Sequence, residues 1–217
     1  MSARMTNEHL SVEEALRRGA RDAARDGGPS ASAARRLAER AAREGLAEVT
    51  YSPADSPFGE LLLASTRQGL LRVAFPEEDV DSVLEGISRR MSPRIVQAPA
   101  PLDRARRELE EYFEGRRRSF ELALDWSLVG GPFGRQVLRV TSEIPYGGVL
   151  SYREVATDAG SPRGSRAAGN ALGSNPIPIV VPCHRVLHSG GGLGGYGGGL
   201  DRKRWLLELE GALTPRP

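Results

Sequence analysis

Two periodicities divide the chain. Up to Glu48, apolar residues recur at helical spacing in two pieces. Ser11 and Glu14 form a capping box before Ala15 and Leu16, Gly27-Gly28-Pro29 interrupts the pattern, and Ser32 to Glu44 predicts a second helix. These residues, 1–47, predict a surface helical extension packed on the neighbouring domain. From Val49 the period shortens. Val49 to Tyr51, Gly59 to Ser65 and Leu70 to Phe75 are short apolar or β-branched runs bounded by Pro and Gly. They predict a three-strand antiparallel meander with a hairpin turn at Arg67-Gln68-Gly69. Residues 79–91 and 102–114 return to helical spacing, Pro93, Pro99 and Pro101 separate them, and Ser119 to Leu124 alternates as an edge strand would.

Trp126 to Pro132 marks a linker, and beyond it helices dominate. Phe133 to Ile144 is stopped by Pro145-Tyr146-Gly147-Gly148. Ser151-Tyr152-Arg153-Glu154 is a capping box opening a helix that runs to Gly160, and a further helix has Ser161 as N-cap and Pro162 at its first position, ending near Gly173. Two short helices across a tight Gly-Ser turn resemble a helix-turn-helix. Ile177 to Val181 predicts a buried strand, and Asp201 to Glu210 a closing helix. The pattern therefore predicts an α+β protein: a helical extension (1–47), a small α/β domain (48–126) and a mainly helical domain (132–217).

Charge sharpens the picture once it is divided. Residues 1–130 carry 20 basic and 22 acidic side chains, net −2, whereas residues 131–217 carry 10 and 6, net +4. No Asp or Glu occurs in the 42 residues between Asp158 and Asp201, where 28 acids in 217 residues would place about five. Arg163, Arg166 and Arg185 lie in that gap, so it suits contact with a polyanion. Its helical part is built almost wholly from small residues, Gly164 to Ala171, which lets the backbone approach another helix or a duplex groove. Lys203, the sole lysine among 30 basic residues, suggests nothing beyond genome composition. No apolar run approaches the ~20 residues of a membrane span, and residues 1–10 lack the apolar core of a secretory signal. A single cysteine makes no internal disulfide, and one cysteine with three histidines builds no typical structural zinc site. The expectation is a cytoplasmic protein with neither metal nor cofactor.

The candidate chemistry sits at Pro182-Cys183-His184-Arg185-Val186. A free cysteine is ordinarily a small buried hydrophobe, but this one ends a Pro-bounded apolar run and precedes a histidine. A thiol near its free pKa of ~8.5 needs a base or a positive field to become a nucleophile. His184 can supply the base through a water, and Glu208 or Glu210 of the closing helix can orient His184. Eight glycines in the ten residues Gly190 to Gly199 leave Leu193 and Tyr196 as the only side chains of that loop. The loop lacks the Gly-Lys-Ser/Thr ending of a phosphate loop, so it suits a flat ligand better than a nucleotide phosphate.

In order along the chain, Ile144-Pro145-Tyr146-Gly147, Ser151-Tyr152, Arg166-Ala167-Ala168-Gly169, Asn175-Pro176, Pro182 to Val186, Gly194-Gly195-Tyr196 and Lys203 through Glu210-Gly211 resemble the O6-alkylguanine-DNA alkyltransferases. Weaker similarity covers Asp55 to Gly59 and Glu111-Tyr112-Phe113-Glu114-Gly115. The resemblance implies a ribonuclease-H-like front domain and a helical domain that enters the minor groove of double-stranded DNA as a monomer. It implies base flipping and irreversible, single-turnover transfer of an alkyl group from O6-alkylguanine, and less well from O4-alkylthymine, to Cys183. His184 becomes the water-mediated base, Glu210 its partner, and Asn175 the holder of the turn. Arg166 fills the gap left by the flipped nucleotide and Tyr152 helps rotate it. Arg163, Ser165, Ala167, Gly169, Asn170 and Arg185 complete the DNA-binding set. Tyr196, Val186, Gly194, Gly195 and Gly197 wall the base pocket. The segment Phe133 to Leu138 departs from the Phe-Gln…Val-Trp of many relatives, and the cysteines with which some relatives bind zinc are missing. Rival readings are a non-catalytic lesion sensor on the same fold, a cysteine hydrolase and a transcription regulator. The sensor would lack Cys183, the hydrolase would turn over repeatedly, and the regulator would show operator preference.

Overall fold

The computed structural model describes residues 29–214; the capping box at Ser11 lies outside them. Helix α1 (Pro29–Arg43) rests against strand β4. The meander expected from the sequence is present as β1 (Val49–Ala54), β2 (Leu61–Thr66) and β3 (Gly69–Ala74), antiparallel in turn, with a bulge at Ala64/Ser65. A fourth strand, β4 (Ile95–Gln97), pairs in parallel with β1, giving the order β3-β2-β1-β4. Three residues wedged between prolines carry too little alternation to be recognised from the sequence.

Helix α2 (Val80–Arg90) is capped by the Asp79 side chain, which accepts from the Ser82 N–H at 2.9 Å. It covers one sheet face through Ile87, against Val49, Ala64 and Leu71. Helix α3 (Asp103–Phe113) buries Ala105, Glu108, Leu109 and Tyr112, the i, i+3, i+4, i+7 stripe of an amphipathic helix. Ser119 to Leu124 forms no strand: only Leu124 bridges to Leu70, while the Glu121 N–H is taken by the Glu108 carboxylate at 2.8 Å. A side chain thus satisfies the backbone that a ladder would have used. The segment expected as a linker is packed, with a 3-10 turn at Trp126–Leu128 and Leu128 and Val129 buried.

Pro132 opens helix α4 (Pro132–Ser142), which buries Val137, Leu138 and Thr141. Next come β5 (Leu150–Ser151), α5 (Tyr152–Asp158) and α6 (Ser165–Gly173). The capping box of α5 is complete, Ser151 and Glu154 each accepting from the other's N–H. Helix α6 begins later than expected, at Ser165 behind Gly164; Ser161 to Gly164 instead close a turn through Gly164 N–H to the Ser161 carbonyl at 2.8 Å. Strand β6 (Val186–Leu187) pairs in parallel with β5, and α7 (Leu200–Leu209) is the last helix of the described residues. One apolar core runs from Leu61, Leu109 and Tyr112 through Val137 and Val155 to Ile177, Cys183 and Leu206. Front and back halves therefore pack as neighbours around the cysteine. No helix of the described residues is long and apolar enough to cross a membrane.

Candidate active site

The buried run before the cysteine is a turn rather than a strand. Asn175 accounts for the difference: its Oδ1 accepts from the Ile177 N–H at 3.0 Å, and its Nδ2 donates to the Val181 carbonyl at 2.9 Å. Val181 N–H closes the turn on the Ile177 carbonyl at 2.9 Å, with Ile179 at φ +73°. A β-branched residue in the left-handed region is strained and persists only where its surroundings hold it. This turn delivers Cys183–Arg185 as one turn of 3-10 helix. Asn175 Nδ2 also donates to Cys183 Sγ at 3.2 Å. Asn175→Ala strands two backbone groups in the core and is expected to cost about 2–4 kcal/mol, read as a lower denaturation midpoint at unchanged m value.

His184 is fully buried, and its Nε2 lies 3.0 Å from Glu210 Oε1. Of the two acids at the end of the closing helix, Glu210 is the one that faces it. Burial pushes the Glu210 carboxyl up, but hydrogen bonds and charge from His184 and Arg185 hold it at about 2. Glu210 is therefore a carboxylate and an acceptor, which places the proton of neutral His184 on Nε2. Nδ1 is left with a free lone pair and no partner among the described residues. Burial lowers the His184 pKa, with Glu210 opposing, so the ring rests neutral and can act as a base.

Glu210 collects further donors. Arg185 grips it with Nε to Oε2 and Nη2 to Oε1, both at 2.8 Å, and Gly147 N–H reaches Oε2 at 3.2 Å. This corrects the expectation for Arg185. It is 6% exposed, with its guanidinium committed to Glu210 and the Ile144 carbonyl rather than turned outward. Tyr112, from the front half, donates its hydroxyl to Glu210 Oε1 at 2.6 Å. The charge that holds Glu210 ionised is tied to native packing, so it stabilises the fold fully above pH 4.5 and is lost as pH falls toward about 2. Unfolding followed by denaturant at descending pH is expected to show this acid limb.

Burial raises the Cys183 thiol pKa, while the Asn175 hydrogen bond and the Lys203 charge pull it down. Lys203 is more than a mark of composition. It is fully buried, its Nζ donates to the Val186 carbonyl at 2.6 Å and the Gly195 carbonyl at 3.3 Å, and burial lowers its pKa to about 8. The β5–β6 ladder sets Tyr152 next to this turn. Its hydroxyl donates to the Gly195 carbonyl at 3.4 Å, and a Cβ on Gly194, at φ +70°, would lie 2.6 Å from the Tyr152 hydroxyl oxygen. Only glycine fits there. The Tyr196 ring stands edge-on to His184 with centroids 6.4 Å apart, and Val186 is buried alongside. Gly197 is exposed on the same loop.

On α6, Arg166, Ala167 and Asn170 line the outer face, with Arg163 exposed just before it, while Ala168 and Leu172 face the core. Gly169 lies against the Tyr152 ring, where a Cβ would sit 3.8 Å away. Ser165 is half-buried at the start of the helix. The structure thus gathers Cys183, His184, Glu210, Asn175, Tyr152, Tyr196 and the glycine loop at one place, with the α6 face beside them. Tyr112 and Lys203 join the site with no role that the sequence reveals. The only signal for either is its inclusion in a stretch of family resemblance.

Family models match both halves. The model described as 6-O-methylguanine DNA methyltransferase, ribonuclease-like domain, covers residues 49–126, and the one described as its DNA binding domain covers residues 132–212. A methylated-DNA–protein-cysteine methyltransferase of Mycolicibacterium paratuberculosis is 41% identical over 77% of this chain and 95% of its own length. One from Methanosarcina barkeri is 40% identical over 74% and 96%. The crystal structure of the Mycobacterium tuberculosis O6-methylguanine methyltransferase superposes with a TM-score of 0.65 at 38% identity, covering 78% of this chain and 96% of that one. That of M. tuberculosis OGT in complex with DNA gives 0.64 at 40% identity, covering 74% and 92%. Matched along both halves and over nearly the full length of its relatives, the chain belongs to the 6-O-methylguanine DNA methyltransferase family.

Proposed function

We propose that this protein repairs O6-alkylguanine in DNA by moving the alkyl group onto Cys183, each molecule acting once. The observation that carries the reading is the order of hydrogen bonds at the turn. Glu210 accepts from His184 Nε2, and His184 Nδ1 remains free to accept. The Cys183 proton passes to Nδ1 through a water, and the imidazolium so formed is held by the Glu210 carboxylate. The thiolate attacks the alkyl carbon, a C–S bond forms and the C–O6 bond breaks. The electron pair goes to the guanine, which takes a proton at N1, so thiol and alkylguanine become thioether and guanine. Lys203 lends positive charge to the thiolate, and the Tyr152 hydroxyl polarises the departing base. No group in the site reverses a thioether, so Cys183 is consumed.

The alkyl carbon lies inside the base stack, so the nucleotide must be flipped out to reach a buried thiol. We assign this to the α6 face entering the minor groove of duplex DNA. Small residues let the helix lie close, Arg166 fills the vacated stack, and Arg163, Ala167 and Asn170 border the backbone. Ser165 and Gly169 support that approach, and Tyr196 with Gly194, Gly195 and Gly197 walls the base beside Val186. The protein acts as a monomer, and alkylthymine is a poorer substrate. Arg166→Asp is expected to slow repair of duplex DNA by about tenfold or more while leaving reaction with the free alkylated base near wild type. Comparing single-turnover rates on the two substrates checks this.

Incubation with a duplex bearing O6-methylguanine tests the whole reading. Intact mass should rise by one CH2, mapped to the peptide holding Cys183. An unmodified Cys183 after long incubation, or transfer to any other residue, contradicts it.

A further inference from the structure

Behind Tyr196 the glycine loop is fastened by a residue outside the chemistry. Arg202, at the start of α7, donates Nη1 to the Gly198 carbonyl at 2.8 Å and Nη2 to Glu77 at 2.5 Å. Its guanidinium stands 4.6 Å from the Phe75 ring centroid and 5.3 Å from that of Phe58. Phe75 and Phe58 come from the front half, and Phe75 meets the Tyr196 ring with centroids 6.0 Å apart. At Gly198 the packing is tight enough that a Cβ would lie 2.7 Å from Phe75 and 2.8 Å from Tyr196. Arginine suits this place because its planar fork can stack on rings and donate along two directions at once. The Arg202 side chain is 13% exposed, so its contacts to the Gly198 carbonyl and the two rings are largely shielded from water, while Glu77 reaches it from the solvent side.

The same loop also borders empty space. A cavity of about 600 Å³, open to solvent, is lined by Gly197–Gly199, Phe58, Arg202 and Trp205. Tyr196 of this loop faces His184, Gly197 to Gly199 border the open cavity, and Arg202 holds the Gly198 carbonyl between them. Gly197 to Gly199 carry no side chains that could anchor it instead.

We propose that Arg202 is a latch that sets the largest alkyl group the site accepts, by pinning the Gly198 carbonyl and so preventing Tyr196 from yielding toward the cavity. A methyl group needs no movement of that wall. A benzyl group needs more room, and gains it only if the loop shifts into the cavity. Arg202 touches no reacting atom; it acts through the loop and through Phe75. The specificity of the back half is in this way set partly by the front half, which supplies Glu77, Phe58 and Phe75.

The latch rests on the alkyl-transfer reading, and one experiment separates the two. Single-turnover rate constants are measured on duplexes carrying O6-methylguanine or O6-benzylguanine for the wild type, Arg202→Ala and Arg202→Met. The Met variant keeps an apolar stem between Phe58 and Phe75 but loses both hydrogen bonds, so it serves if the Ala variant fails to fold. The readout is the benzyl-to-methyl ratio of rate constants, which does not depend on the fraction of active protein. The ratio is expected to rise about tenfold in both variants, the scale by which a pocket discriminates on bulk. A ratio within twofold of wild type in the folded variants overturns the latch, as does a fall. Failure of the wild type to transfer even methyl overturns the alkyl-transfer reading itself.

Discussion

Cys183→Ala is expected to abolish alkyl transfer completely while leaving lesion-bearing DNA still bound. Cys183 is the only cysteine of the chain, and no second thiol lies anywhere to take over. Neighbouring groups cannot substitute. The Lys203 amine is tied to two backbone carbonyls. Burial raises the Tyr196 and Tyr152 phenols above their ordinary range, so neither ionises to a nucleophile near neutral pH. The fold should survive, because removing one sulfur from a 7% exposed position leaves the Asn175 bonds to Ile177 and Val181 intact. Labelled methyl transfer measures the first outcome and gel-shift titration with lesion duplex the second. Persisting transfer would place the acceptor elsewhere. Full protection of cells by the variant would favour a sensor.

Glu210→Gln is expected to be nearly as severe by a different route. Five donors converge on the Glu210 carboxylate: the Tyr112 hydroxyl, His184 Nε2, Arg185 Nε and Nη2, and Gly147 N–H. Glutamine offers one acceptor oxygen and turns an amide N–H2 toward other donors. Some donors are then unpaired, and the Arg185 charge lies buried without its counter-ion. Breaking a buried pair on one side costs about 3–5 kcal/mol. His184 also loses the carboxylate that stabilises its protonated form, and weakened general-base action lowers the rate by roughly 10²–10⁴. The two losses separate cleanly. Thermal unfolding reports the first, and the single-turnover rate constant of the folded fraction reports the second. The acid limb of stability tied to Glu210 should vanish as well, since glutamine does not titrate.

The parts of this site legible in the sequence are those held by local chemistry. Ser151 and Glu154 announce the start of α5 because a capping box is complete within four residues. Cys183 and His184 are adjacent in the sequence, so both stand out as candidates without the fold. Asn175 is marked by resemblance alone, yet its work is local, closing a turn over the next eight residues. What stays hidden depends on chain segments meeting from afar. Arg185 looks available to DNA in an acid-free stretch, but Glu210 folds back from the end of the next helix and takes it. Tyr112 joins the same carboxylate from 98 positions away, which no periodicity reveals. Ser119 to Leu124 alternates like a strand, yet Glu108 claims one of its backbone donors. Ile177 to Val181 is apolar enough for a strand, but Asn175 captures the backbone groups that a neighbour would have paired. Lys203 illustrates the same limit: composition supplies the count, and only the fold places it against the Val186 carbonyl.

The claim that Cys183 is spent in the reaction is tested most directly by counting. The protein is mixed with a large excess of duplex carrying radiolabelled O6-methylguanine, and label on protein is followed to completion. One methyl per chain, all on Cys183, with no further loss of lesion from the DNA, is the result that a consumed thiol requires. Continued loss of lesion beyond one equivalent, with Cys183 still a free thiol, would contradict it.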